Sequence, residues 1–147
     1  MPRCYEFDVA MKDIKPRIWR RIQLPVSATF GDLHDAIQDA SGSWVDEHLH
    51  GFQTSFRGEE ICGTPGDDGF DSDTRDSGRT RLSKWFPVRM PAGRRPRCAY
   101  CYDFGDGWKA EVLLRRLFDS AETFRRRLVA GDRRFPPEDC MGTFGYL

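Results

Sequence analysis

Two stretches near the start of the chain alternate apolar and polar residues, and only a proline-bearing turn lies between them. Tyr5, Phe7, Val9 and Met11 share one parity, with Glu6, Asp8 and Ala10 on the other. Ile18, Arg20, Ile22 and Leu24 repeat the pattern, with Trp19, Arg21 and Gln23 opposite. A period of two gives a strand two distinct faces, so each stretch reads as a half-buried strand. Pro16 cannot donate to a sheet ladder and confines the second strand to the residues after it. The pair predicts an antiparallel hairpin, ended at Pro25.

The period then changes. Thr29, with Asp32 three residues on, has the form of a helix start. Leu33, Ala36, Ile37 and Ala40 follow as one apolar stripe, and Gly42 closes the helix. Alternation returns from His48 to Phe56 as a third strand, followed by a short turn and Glu60-Ile61-Cys62. Residues 63–79 are a Gly- and Asp-rich surface loop. Residues 80–86 read as a short helix, and 97–104 and 108–114 as two more strands around an Asp-Gly turn. Asp119-Ser120 reads as the cap of a last helix, with Phe124 and Leu128 stacked and Gly131 at its end. The tail from Arg133 is irregular. These elements predict an α+β fold: an antiparallel sheet of about five strands with two to three helices packed on it. The expected core includes Phe7, Val9, Ile18, Ile22, Leu33, Ile37, Leu49, Tyr100, Tyr102, Val112 and Leu114. No repeat or linker divides residues 1–147, which read as a single domain.

Charge excludes some functions. Twenty-three basic side chains balance 23 acidic ones, so bulk charge gives no argument for nucleic acid. No apolar run approaches the roughly 20 residues of a membrane helix. The opening residues lack the layout of a secretory signal, which sets the expectation of a cytoplasmic protein with no membrane. Five cysteines, an odd number, then favour reduced thiols over a disulfide framework.

Four blocks in order carry a family resemblance. They are Met11-Lys12-Asp13-Ile14-Lys15-Pro16-Arg17-Ile18-Trp19-Arg20-Arg21-Ile22, Leu33-His34-Asp35-Ala36-Ile37-Gln38, the stretch from Trp44 to Phe52, and Tyr100 to Trp108. Pro136-Pro137-Glu138-Asp139-Cys140, with Gly142 and Gly145-Tyr146, is similar to the closing motif. Together they resemble the plasmid pRiA4b ORF-3-like family over nearly the whole chain. The resemblance implies a compact α+β domain built around an antiparallel sheet and an origin on plasmids or mobile elements. It brings no catalytic residue set. In the resemblance, relatives often carry His where Ala110 stands, and cysteines where Leu128 and Phe135 stand.

Three chemistries compete for the function. Asp46, His48 and His50, at i, i+2 and i+4, would share one face of a strand and suit zinc or iron, with Cys140 or Cys62 as a further donor and Asp46 or Glu138 as base. The alternative is a strand whose polar face carries two hydrogen-bonded histidines. The arginines Arg115, Arg116, Arg125, Arg126 and Arg127, with Arg133 and Arg134, could grip phosphates, or form a solvated helix face. A non-enzymatic binding or adaptor module, with a protein or nucleic-acid partner, is the leading expectation. Its recognition surface would use Trp19, Arg20, Asp46, His48, His50, Asp103, Asp106 and Trp108, polar and aromatic residues at strand ends and turns. The remaining signals fall away. Cys98-Ala99-Tyr100-Cys101 precedes a strand, where odd spacing sends the thiols to opposite faces. The acidic loop lacks the Gly and the Glu of a calcium-binding EF-hand. No helix-turn-helix, Walker or GxSxG motif is present.

Overall fold

A computed structural model describes residues 2–42, 44, 46, 48–64, 75–103 and 107–135. The strands are β1 (Arg3–Met11), β2 (Trp19–Pro25), β3 (His50–Gln53), β4 (Glu60–Gly63), β5 (Arg97–Tyr102), β6 (Trp108–Asp119) and β7 (Arg127–Asp132). They form one antiparallel sheet in the order β4-β3-β5-β6-β1-β2-β7. The first hairpin pairs Phe7 with Ile22 and Val9 with Arg20, as the alternation requires.

One α-helix is described, α1 (Phe30–Ser41), with 3-10 turns at Ser77–Arg79 and Leu82–Lys84. Its ends match their sequence signals. The Thr29 hydroxyl accepts from the Asp32 N–H while the Asp32 carboxylate accepts from the Thr29 N–H. Gly42 takes a left-handed φ of 76° at the other end, where a side chain would be strained. Phe30, Leu33 and Ile37 are buried in one core with Phe7, Phe52, Tyr102 and Val112 of the sheet. Phe30 lies 5.0 Å from Phe52, and Phe7 meets Phe86 edge-on at 4.8 Å, the tilted geometry that aromatic quadrupoles favour.

The expected fold of about five strands and two to three packed helices is therefore corrected: the molecule is a seven-stranded sheet with a single described helix. The short helix at 80–86 is only a 3-10 turn. The last helix is a strand. β6 runs on to Asp119, and the Ser120 hydroxyl closes a local turn with the N–H and C=O of Glu122. Arg127–Asp132 then pairs with β2, Gly131 facing Arg20. Phe124 and Leu128 sit four apart, a spacing that fits a helix but does not require one. Gly131 serves not as a helix stop but as a point of close approach. A Cβ there would lie 2.7 Å from Cδ of Arg20 and 2.9 Å from the Trp19 carbonyl oxygen.

Arg20 explains that crowding. Its Nε donates to the Ala40 carbonyl at 2.8 Å, one of the unpaired acceptors at the end of α1. Its Nη1 donates to the carbonyls of Trp19, Asp132 and Arg133, and the guanidinium lies over the Phe135 ring. On the opposite sheet face a register shift lets both Arg115 and Arg116 reach Glu6. Burial raises the Glu6 carboxyl, but the bonds from Arg116, Gln23 and Arg115 outweigh it and hold it below its ordinary value. Of the expected core, Leu49 alone is exposed, at 53%.

Gly131→Ala is expected to destabilise the protein by about 1–3 kcal/mol, because the backbone carbonyl of Trp19 cannot give way as a side chain can. The shift in urea-unfolding midpoint measures it. A loss within a few tenths of a kcal/mol would contradict the strand register.

Candidate functional site

The helical stripe of α1 carries two polar residues among its apolar ones. His34 and Gln38, one turn apart, are both buried against β5. There the Tyr100 hydroxyl lies 2.9 Å from His34 Nδ1 and accepts from Gln38 Nε2 at 3.1 Å. Gln38 Oε1 accepts from the Asp46 N–H at 3.1 Å, so the amide orientation is fixed. Among the described bonds of the Tyr100 hydroxyl, His34 Nδ1 is the one acceptor available for its proton, which is assigned there. His34 Nε2 then carries the other proton and donates to Asp46 Oδ1 at 2.7 Å. The chain runs one way, Gln38 to Tyr100 to His34 to Asp46. Burial pushes the Tyr100 hydroxyl well above its ordinary value, which keeps it a donor.

The ring of His50 stacks on that of His34, with centroids 3.6 Å apart and planes 12° from parallel. Thr64 Oγ1 accepts from the His50 backbone N–H, so its proton serves His50 Nδ1 at 3.0 Å. His50 Nε2 donates to Ser77 Oγ at 2.8 Å. Burial, and next the neighbouring His34, push His50 from 6.5 down to about 4, against an opposing pull from Asp46 and Asp76.

Asp46 stands at φ 58° outside any strand, with its side chain about half exposed. No described residue engages its Oδ2. Asp46 borders a cleft of about 270 Å³, lined also by Asp35, Gln38, Asp39, Trp44 and Arg126. Asp39 pairs with Arg126 at 2.8 Å. Donor atoms of His34, Asp35 and Asp46 come within 4.8 Å of one another.

The trio Asp46, His48 and His50 does not converge as expected, because β3 begins only at His50. His48 instead points its Nε2 towards Asp103 at 3.6 Å, edge-on to the Tyr102 ring. Asp46 and His50 meet only through His34, which the search for ligands on one strand passed over. The signal for it was there: a histidine and a glutamine at i and i+4 inside an apolar stripe. A metal on His34 Nε2 would need the proton moved to Nδ1, leaving the buried Tyr100 O–H without an acceptor at about 1–3 kcal/mol.

The other candidates scatter. Trp108 is fully buried, Asp103 nearly so, and Arg20 is engaged on four carbonyls. Trp19 lies between Arg17 and Arg21. Asp106, Cys140, Glu138 and the acidic residues Asp67 to Asp73 fall outside the described residues. The arginines between 115 and 127 are committed to acidic partners, whereas Arg133 and Arg134 are exposed. Arg115 and Arg116 hold Glu6, Arg125 reaches Asp32 at 3.7 Å, Arg126 holds Asp39, and Arg127 holds Glu122 and Gln23. Among the described residues no helix is long and apolar enough to cross a membrane.

Sheet, helix and cleft define a small antiparallel-sheet protein with a hydrogen-bonded His–Asp pair at a surface opening. The chain belongs to the plasmid pRiA4b ORF-3-like protein family, whose profile matches residues 3–147. It is similar to the uncharacterised protein y4hQ of Sinorhizobium fredii (strain NBRC 101917 / NGR234), at 30% identity over 140 residues. That match spans 94% of this chain and 66% of the relative. It is also similar to the crystal structure of MM3350, a protein of unknown function from Methanosarcina mazei Go1. The TM-score there is 0.80 at 33% identity, covering 99% of this chain and 78% of the other.

Tyr100→Phe is expected to cost about 1–3 kcal/mol in urea unfolding, since it strands Gln38 Nε2 and His34 Nδ1 in the interior. Acid is expected to act through His50. The unfolded chain takes up a proton there below pH 6.5, the folded one only below about 4. Stability therefore falls as pH drops through that window, by about 3 kcal/mol, and His50→Gln flattens the fall. Denaturation midpoints at pH 7, 5.5 and 4 measure both.

Proposed function

We propose that the protein is a non-enzymatic binding module, of plasmid or mobile-element origin, that takes a cationic group in the cleft beside Asp46. The observation carrying this reading is the one-way chain from Gln38 to Asp46. It spends three buried side chains on orienting one half-exposed carboxylate at the edge of the cleft, and a preorganised carboxylate binds a cation with little loss of rotamer freedom. Asp35 adds negative charge, and the apolar wall of Trp44 keeps the contact partly out of water, where charge-assisted bonds gain strength. Among the described residues lining the cleft there is no Ser, Thr, Cys or Lys, the usual nucleophiles of covalent catalysis.

The metal-dependent enzyme is the second reading, favoured by the convergence of His34, Asp35 and Asp46. It has to overcome the orphaned Tyr100 proton.

One titration separates them. Isotope-labelled protein is followed by NMR against N-acetyl-arginine amide, N-acetyl-lysine amide, spermidine and zinc chloride. The expected result is saturable shifts of the Asp35, Gln38 and Asp46 amides with an organic cation, weakened about tenfold by Asp46→Asn, the loss of one charge-assisted bond. No saturable shift with any organic cation would sink the binding reading. One equivalent of zinc, lost in His34→Ala, would put the metal reading in its place.

A further inference from the structure

Between Asp76 and Asp103 the chain has seven cations and not one Asp or Glu. In a protein of zero net charge this is a concentrated imbalance, and folding does little to relieve it. Arg79 comes no closer than 4.0 Å to Asp76, and Arg97 lies 3.5 Å from Glu111. Arg81, Lys84, Arg89, Arg94 and Arg95 have no acidic partner among the described residues, and all are exposed. The contrast with residues 115–127 is direct, since there each arginine named above meets a carboxylate.

The segment is also built to present something flat. Trp85 is 39% exposed, yet its indole N–H donates to the Arg97 carbonyl at 2.8 Å. That bond ties residue 85 to residue 97 and closes the loop carrying Arg89, Arg94 and Arg95. Pro87, Pro91 and Pro96 stiffen it, lowering the entropy lost on binding. Phe86, buried against Tyr5 and Phe7, anchors one end in the core.

We infer that this loop binds single-stranded nucleic acid, its arginines gripping successive phosphates while a base stacks on Trp85. Guanidinium forks fit phosphate oxygens bidentately. An indole pinned at its edge offers a face to any unpaired base. A loop of this shape offers no helix or ribbon for a major groove, which favours the single strand. Anionic membranes and acidic proteins share the charge but not the stacking partner.

The test is fluorescence anisotropy of a fluorescein-labelled dT20 strand with the whole protein between 50 and 200 mM NaCl. Five cations predict a slope of log affinity on log salt of about −3 to −4. Arg89→Ala/Arg94→Ala/Arg95→Ala is expected to weaken binding at least tenfold and cut the slope by about 2, with an unchanged circular dichroism spectrum. Arg94→Gln alone gives the same direction if the triple variant misfolds. Quenching of tryptophan emission by dT20 should shrink in Trp85→Phe, and Arg125→Ala should bind as wild type. The inference is overturned if the triple variant binds normally, if salt has no effect, or if Arg125→Ala abolishes binding instead. It is overturned equally if polyglutamate or phosphatidylserine vesicles bind as tightly as dT20, or if duplex of equal charge binds better.

Discussion

Polar groups sealed between a helix and a sheet must find partners, and beneath α1 their bonds have one self-consistent direction. The Tyr100 hydroxyl has a single proton, Gln38 donates to its oxygen, and His34 Nδ1 is the one acceptor described within its reach. Everything downstream follows from that: the proton on His34 Nε2, the carboxylate of Asp46 as its acceptor, and the Asp46 backbone returning to Gln38. In a low-dielectric interior each bond strengthens its neighbours, and a single missing member is expensive. The helix is thus tied to β5 by hydrogen bonds as well as by apolar contact. The residue that ends the chain of bonds is the one that faces water.

Charge is handled by the same rule elsewhere. Glu6, at 2% exposure, is tolerable on the far face of the sheet because Arg115, Arg116 and Gln23 all donate to it. Among the described residues no carboxylate bonds Arg20, and backbone carbonyls from α1, β2 and the end of β7 take its protons. That choice fixes where β7 lies and forces glycine at 131. Buried charges here hold elements in register more than they add stability, since their desolvation offsets much of the attraction.

The first hairpin and α1 were legible because their signals are local. Period-two alternation, a Thr cap and a closing glycine all act within a few residues. β7 was not, since Phe124 and Leu128 satisfy a helical spacing, while the true partner of Leu128 is Ile22, about a hundred residues earlier. Leu49 reads as core by alternation, yet it precedes the strand start at His50. The site was legible in part. Asp46 and His50 were singled out, but on the assumption of a shared strand face. The residue that joins them, His34, lies on another element, and only the packing of α1 on β5 brings the three together.

The basic loop escaped notice for a related reason. A census of arginines finds the densest cluster at 115–134, but density is the wrong quantity. What matters is whether a carboxylate is within reach after folding, and the run at 115–127 is neutralised by Glu6, Asp32, Asp39 and Glu122. The segment after Asp76 is sparser in arginine but has no acid of its own. The backbone bonds it makes with the start of α1, Phe30 N–H to Thr80 O and Leu82 N–H to Ala28 O, bring no carboxylate to its exposed arginines. A zero net charge therefore conceals two surfaces of opposite sign. Asp35, Asp39 and Asp46 line a cleft on the later turns of α1, while the unpaired cations follow from the turn that its first residue anchors. Screening over about 8 Å in physiological salt weakens the coupling between exposed charges further apart than that, so the sign of each surface is set by its own neighbours rather than by the net charge of the chain.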